Sequence, residues 1–196
     1  SVDVTLTDHT VIEAMARALG EKAPPGTFEI FVLSDTRAPS DGAREDEAYS
    51  KLQGDLSDVM PLYYRRRRDN THRKAGNISD WVERFGGAYE HFVILDADSI
   101  MSAETLIALA SAMEDDQKAG LIQTVPRLVG GQTLLQHLTQ FASGTYGPAV
   151  ASGIAFWHRD QGNYWGHNAI IRTAAFASAA GLPELSGRKP FGGHIL

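Results

Sequence analysis

The chain has 196 residues, of which 43% are hydrophobic, so it is long enough for one domain with a sizeable core. A formal net charge of -6 and a pI of about 5.6 argue against non-specific binding to nucleic acid. The absence of cysteine excludes disulfides, thiol nucleophiles and thiolate metal sites. No apolar run approaches the roughly 18 residues that a membrane span needs.

Apolar spacing predicts alternating helices and strands along the first part of the chain. The predicted elements are a helix from Thr10 to Gly20, a strand over 28–33, a helix over 43–59, an extended segment over 61–64 and a helix from about Lys74 to Phe85. The strand over 28–33 is followed by Ser34 and Asp35, so an acid stands at its carboxyl end.

The apolar run from Phe92 to Leu95 predicts a buried strand that ends in two carboxylates, Asp96 and Asp98. Because side chains alternate along a strand, we expect both to point to the same side. Two close negative charges favour a hard divalent cation between them, which makes this pair a candidate Mg²⁺ or Mn²⁺ site. The alternative is a solvated strand end where Asp98 or Ser99 caps the next helix.

A basic run, Arg65 to Arg68, comes shortly before Lys74, which stands near a predicted helix start. Backbone N–H groups and the helix dipole favour an anion at such a position. The run is alternatively a solvated loop or a patch that binds RNA. Because ligands of α/β sheets bind beyond the carboxyl ends of strands, Asp35, the aspartate pair and Lys74 together indicate a nucleotide-diphosphate site bridged by metal.

The second half of the chain continues the alternation, which predicts a mostly parallel sheet with helices on both faces. The predicted elements are a helix around 106–113, a strand over 120–125, a helix over 133–141, a strand over 169–172 and a helix over 174–180. We expect Leu134, Leu138 and Phe141 to belong to the core. The aromatic and amide residues of 155–168 suit a carbohydrate or a base, or they cover an edge of the core.

Several motifs taken together resemble the family 2 processive glycosyltransferases of the cellulose-synthase type. They are Ser34-Asp35, Lys74-Ala-Gly-Asn77, Val93-Ile-Leu-Asp96-Ala-Asp98, Gln123-Thr-Val-Pro126 and Tyr164-Trp-Gly-His-Asn168-Ala-Ile-Ile-Arg172. The resemblance runs from about residue 28 to near the end. The arginine run and Tyr146-Gly-Pro148 resemble most the members that build the backbone of osmoregulated periplasmic glucans.

The resemblance implies a GT-A (Rossmann-like) nucleotide-diphospho-sugar transferase fold, incomplete at both ends, and inverting transfer of glucose from UDP-glucose to a β-glucan with Mg²⁺ or Mn²⁺. It implies that Asp35 faces the uridine and that Lys74 contacts the nucleotide base and the diphosphate. Asp96 would lie near the ribose and diphosphate, and Asp98 would be the direct metal ligand, with Asp96 in the same metal motif. The sugar or acceptor pocket would be lined by Trp165, Gly166, His167 and Asn168.

The sequence departs from this family where the family carries its catalytic base, an acidic motif expected beyond Leu196. The Gln-x-x-Arg-Trp motif, the first strand and the flanking membrane helices also have no match. We therefore expect residues 1–196 to be one cytoplasmic fragment of a bacterial inner-membrane enzyme, which binds nucleotide without transferring glucose. Its expected partners are UDP-glucose, the β-glucan acceptor and a periplasmic glucan-processing protein, and no nucleic acid. Other readings are a cellulose-like synthase or a non-catalytic nucleotide-binding or regulatory module.

Overall fold

The structure, a computed structural model, describes residues 9–179, 184–185 and 193–194. The helices are α1 His9–Lys22, α2 Pro39–Asp55, α3 Arg73–Phe85, α4 Ala103–Asp115, α5 Leu134–His158 and α6 Thr173–Ala179, with a 3₁₀ turn at Gly86–Ala88. The strands are β1 Ile30–Ser34, β2 Leu62–Arg66, β3 His91–Ile94, β4 Leu121–Gln123, β5 Ala169–Arg172, β6 Glu184–Leu185 and β7 Gly193–His194. The position expected for the catalytic base lies outside the described residues.

The strands form a parallel pair, a three-stranded sheet and a short hairpin-like pair. β1 and β2 are parallel, with Ile30 opposite Leu62 and Ser34 opposite Arg66. β5 lies between β3 and β4 and is antiparallel to both, so β3 and β4 run in the same direction. β6 pairs with β7. The predicted α/β fold is confirmed, and β5 is the strand that runs against its neighbours.

One face of the strands packs against α1, α2 and α4. Helix α1 contributes Ala16 and Leu19, which are buried there. The side chains of Ile30 and Val32 in β1 pack against this cluster. Its most buried members are Ala16, Leu19, Tyr49, Leu52, Leu56, Leu106, Leu109, Met113 and Ile170. Burial of this apolar surface is the main term that stabilises the fold.

The opposite face carries a cluster of aromatic rings beneath α3. Phe31 alternates with Ile30 and Val32 along β1 and therefore points to this other side. Its ring lies 4.7 Å from Tyr63 and 5.4 Å from Trp81, measured between ring centroids. Trp81 in turn contacts Phe92 of β3 at 5.3 Å. The strands are thus covered by helices on both faces, as the sequence predicts.

The prediction for residues 133–141 is wrong in length and in burial. The helix does begin after Thr133, which caps it together with Gln136 in a capping box, but it continues to His158. Leu134, Leu138 and Phe141 are 77%, 57% and 66% exposed, so they do not belong to the core. Apolar spacing identified the helix without showing whether any other element covers it.

None of the helices within the described residues combines the length and apolarity needed to cross a bilayer.

We predict that truncation of the core at Met113 destabilises the fold by about 2–5 kcal/mol, because Met113→Ala leaves a cavity among side chains that cannot collapse fully. Met113 is fully buried in α4. Urea unfolding followed by circular dichroism measures this free energy. Leu135→Ala is the matched control, since Leu135 is 74% exposed on α5 and its truncation should change stability by less than about 0.5 kcal/mol. Equal losses in the two variants would contradict this assignment of the core.

Candidate active site

The candidate site lies at the carboxyl ends of β1, β2 and β3. Asp35 follows β1, Arg67 follows β2 and Asp96 lies two residues beyond β3. A groove of about 2430 Å³ between β1 and β3 opens here, and Asp35, Lys74 and Asp96 line it. In the described part of the chain β1 and β3 are not hydrogen-bonded to each other. The groove therefore separates the two sheets and ends among charged side chains.

A buried carboxylate, Glu45, fixes the loop that carries Asp35. Glu45 is only 7% exposed on α2 and accepts hydrogen bonds from the hydroxyls of Ser34 (2.7 Å), Thr36 (2.6 Å) and Tyr64 (2.9 Å). Burial raises the pKa of Tyr64, and the bond to Glu45 raises it further, so this phenol remains a donor. Because Ser34 and Thr36 flank Asp35, the Glu45 contacts hold the backbone of Asp35 from both sides.

Arg67 holds the side chain of Asp35. Its Nε and Nη2 donate to the two carboxylate oxygens at 2.8 and 2.9 Å, which is the bidentate geometry that favours arginine over lysine. Both side chains are mostly buried, at 11% and 19% exposure. Arg67 also donates to the carbonyls of Thr71 (3.2 Å) and Arg73 (3.0 Å). One guanidinium therefore joins the end of β1 to the loop that starts α3.

The start of α3 is a strained turn that brings Lys74 to the site. His72 and Arg73 have φ of 57° and 50°, in the left-handed region that non-glycine residues seldom adopt. A Cβ on Gly76 would lie 2.1 Å from the carbonyl oxygen of Thr71, so only glycine allows this close approach. Asn77 is buried and donates to the carbonyl of Leu33 in β1 at 3.3 Å. These contacts explain the glycine and the asparagine in Lys74-Ala-Gly-Asn77.

Lys74 connects two of the predicted site segments. Its ammonium forms an ion pair with the carboxylate of Asp96 and donates to the carbonyl of Gly166 at 2.7 Å. Gly166 has a φ of 95°, which turns the chain at this point. The side chains of Lys74 and Asp96 are 46% and 36% exposed, so the pair is accessible from solvent. A solvent-accessible cation at a helix start is therefore placed beside the carboxylate that follows β3.

The segment from Tyr164 to Asn168 is fastened to the ends of the central strands. The backbone N–H of Trp165 donates to the side chain of Gln123 at 2.8 Å, while the backbone of Asn168 bonds to Ile94 and Thr124. Asn168 adopts a φ of 54°. Its side-chain oxygen and the Nδ1 atom of His167 are buried without a hydrogen-bond partner among the described residues. Such atoms can accept a bond from, or donate one to, a ligand.

The aspartate pair predicted to bind a metal lies outside the strand. β3 ends at Ile94, Asp96 is partly buried beside Lys74, and Asp98 is exposed in a turn. The expectation from strand alternation therefore does not apply to these two side chains. Two carboxylates next to a loop still suit Mg²⁺ or Mn²⁺, because these ions complete their coordination with water and phosphate oxygens.

A second group of side chains that could bind a metal occurs among the described residues, away from the aspartate pair. It comprises Glu90, His91 and Glu114, whose ligand atoms all lie within 4.8 Å of one another. His91 is the first residue of β3, so this group lies at the end of the strand opposite to Asp96. The guanidinium of Arg172 lies 3.0 Å from the Nε2 atom of His91. A positive charge this close opposes the binding of a metal cation, and the ammonium of Lys74 has the same effect at Asp96 while the two are paired.

The structure thus joins three of the predicted site residues through direct contacts and links a fourth through Arg67. Lys74, Asp96 and Gly166 meet, and Arg67 connects Asp35 to the same loop. The sequence analysis missed Glu45 and the role of Arg67. A signal was present for Arg67, because Arg65 and Arg67 alternate with Arg66 and Arg68 at the end of an extended segment. Nothing in the local pattern distinguished Glu45 from the other acids of α2.

Comparison with known proteins identifies the family. The sequence profile of glycosyl transferase family 2 matches residues 9–178, which includes every site residue described above. The chain belongs to glycosyl transferase family 2.

Curated relatives in this family carry the name glucans biosynthesis glucosyltransferase H. The protein of Xylella fastidiosa (strain 9a5c) is 51% identical over 185 residues, which cover 94% of this chain and 29% of the relative. The protein of Vibrio cholerae serotype O1 (strain ATCC 39315 / El Tor Inaba N16961) is 52% identical over 185 residues, or 94% of this chain and 26% of the relative. The chain thus spans less than a third of these relatives. No solved structure matches it.

We predict that the pKa of the Tyr164 phenol depends on the charge of Asp96. Burial raises the pKa of Tyr164 to about 12, and the negative charge of Asp96 contributes to the same increase. Asp96→Asn should therefore lower this pKa partway towards its ordinary value of about 10. A divalent cation bound to Asp96 should have the same effect.

NMR titration of ¹³C-labelled tyrosine rings, with and without Mg²⁺, measures the Tyr164 pKa. Tyr89 is the internal control, because burial and Glu29 raise its pKa to about 12 without any contribution from Asp96. Its titration should stay unchanged in Asp96→Asn. A Tyr164 pKa that does not respond to Asp96→Asn would contradict the placement of these two side chains.

Proposed function

We propose that the chain is the donor-binding part of an inverting glucosyltransferase, which transfers glucose from UDP-glucose to a growing β-glucan of the osmoregulated periplasmic type. The observation that carries the proposal is the position of Lys74, which joins Asp96 to the carbonyl of Gly166 at the rim of the sheet. An ammonium group at a helix start suits a diphosphate. The names of the curated relatives support the class of product.

Asp35 is proposed to recognise the uracil. Arg67 engages both carboxylate oxygens, yet each oxygen keeps a lone pair that can accept a further hydrogen bond. The N3–H group of uracil is a donor of the right kind, whereas N3 of cytosine is an acceptor. A carboxylate held in one orientation therefore favours uridine nucleotides over cytidine nucleotides.

Asp96 and Asp98 are proposed to hold Mg²⁺ or Mn²⁺ together with the diphosphate. Two carboxylates, phosphate oxygens and water are the donor set that these ions take. Bound there, the cation would offset negative charge on the departing UDP. Lys74 would stabilise the same charge through its ammonium group.

Residues 165–168 are proposed to line the sugar and acceptor pocket. The Trp165 ring is 43% exposed and offers a flat apolar face for a sugar, while the unpaired oxygen of Asn168 can accept a bond from a hydroxyl. His167 and Gly166 complete this segment.

An acceptor hydroxyl would attack the anomeric carbon with inversion and lose its proton to a carboxylate base, which we place beyond Leu196. Residues 1–196 alone are then expected to bind nucleotide without transferring glucose.

The complete protein is proposed to reside in the bacterial inner membrane, with this segment on the cytoplasmic side, where UDP-glucose is made. The length of the curated relatives leaves room for membrane helices outside the matched part. The β-glucan acceptor and a periplasmic glucan-processing protein are its proposed partners.

The first test is calorimetric titration of the chain with UDP, with Mn²⁺ and again with EDTA. We expect binding that depends on the metal and weakens by about tenfold or more in Asp98→Ala, which corresponds to 1.4 kcal/mol. Asp115→Ala is the matched control, because Asp115 is an exposed carboxylate at the end of α4. Binding by a folded sample that is equally strong in EDTA would refute the metal assignment. Failure of UDP to bind at all would refute the proposed donor site.

A second test concerns Arg67 and the choice of base. If Arg67 orients Asp35, Arg67→Ala should reduce the preference for UDP over CDP by about tenfold, in line with the cost of a lost oriented hydrogen bond. Arg67→Lys keeps the charge but loses the bidentate geometry and should also lose preference. Arg68→Ala is the control, since Arg68 is exposed. A variant that weakens both nucleotides equally would point to a purely structural role for Arg67.

A further inference from the structure

The surface of α5 is unusual for a helix of a folded domain. The helix runs for 25 residues, and none of them is buried. Nine of its large apolar side chains are exposed: Leu134, Leu135, Leu138, Phe141, Tyr146, Val150, Ile154, Phe156 and Trp157. Exposed apolar surface of this extent marks a place where another structure binds.

The apolar side chains occupy more than one side of the helix. At 3.6 residues per turn, Leu134, Leu138 and Phe141 share one side, while Tyr146, Val150 and Trp157 share a second. No Asp, Glu, Lys or Arg occurs between positions 134 and 158. The half-buried residues of the helix are Gln140, Ser143, Gly147, Ala151 and His158. A helix that is apolar on most of its circumference is normally enclosed by protein or lipid.

The charge pattern argues against lipid as the cover. Helices that lie on a bilayer surface carry Lys or Arg on their polar face, and α5 carries neither. The net charge of -6 also disfavours an anionic membrane surface. The matched part of the curated relatives is only 26–29% of their length, so most of a longer polypeptide is available as a cover.

We propose that α5 is an intramolecular docking helix, whose uncharged surface packs against apolar helices from the part of the polypeptide outside residues 1–196. The proposal does not depend on the nature of the donor nucleotide. Gly144, Gly147 and Ala151 leave room for close approach of a second helix. The chain leaving α5 leads directly to Gly166, the contact of Lys74, so the docked helices would be held next to the site.

The test uses the complete polypeptide that the gene encodes, reconstituted in vesicles, beside residues 1–196 alone. Because this segment has no cysteine, Leu138→Cys and Ile154→Cys introduce single labelling sites once any cysteines elsewhere are replaced by serine. We expect maleimide to react about tenfold or more slowly with both thiols in the complete protein than in the segment. Lys51→Cys is the control, since Lys51 is exposed on α2, and its rate should be the same in both.

A photo-crosslinking residue in place of Phe141 then identifies the cover by mass spectrometry. Crosslinks to peptides outside residues 1–196 of the same molecule support the proposal. Equal maleimide rates in the two proteins would overturn it. So would quenching of a fluorophore at position 138 by brominated lipids, which indicates the bilayer, or crosslinks between differently labelled copies, which indicate a second chain. Melting curves confirm that each variant is folded.

Discussion

The arrangement of the candidate site depends on the two contacts that the ammonium group of Lys74 makes. This group lies between the carboxylate of Asp96 and the carbonyl of Gly166, and thereby joins three segments that are far apart in sequence. Without this cation, an acidic strand end and a carbonyl oxygen would face each other with no donor between them. The strained turn before α3 and the glycine at position 76 are the local conditions that put the ammonium there.

The surroundings of Asp35 follow the rule that buried charges must be paired. Arg67 neutralises Asp35, and three hydroxyl donors satisfy Glu45, so the loop after β1 contains two carboxylates in defined orientations. Such an arrangement is costly to disturb, because removal of one partner leaves the other charge buried. Rigid carboxylates at the rim contrast with the more exposed pair formed by Lys74 and Asp96, which is free to exchange partners when a ligand binds.

The sequence predicted that Asp35, Lys74, Asp96 and Asp98 lie at one rim, and the structure places Lys74 beside Asp96, while the roles of these residues stay predictions. It also predicted the first helix and the strands over 28–33 and 169–172 to within two residues of α1, β1 and β5. Periodicity and turn residues are local signals, and these elements have strong ones. The prediction that Leu134, Leu138 and Phe141 are core residues was wrong, because an apolar face shows that a helix needs a partner without showing where that partner is. The sequence pattern did not connect Arg67 with Asp35, because the two residues are 32 positions apart.

The sequence by itself determined the α/β alternation, the family and the residue types of the site, since these depend on short-range pattern and on motifs. Only the tertiary structure decided that Arg67 binds Asp35, that Lys74 reaches a carbonyl 92 residues further on, that β5 runs antiparallel between β3 and β4, and that α5 has no cover among the described residues. Each of these features depends on contacts between distant segments. Such contacts are set by the packing of whole elements against one another, which no local run of residues specifies.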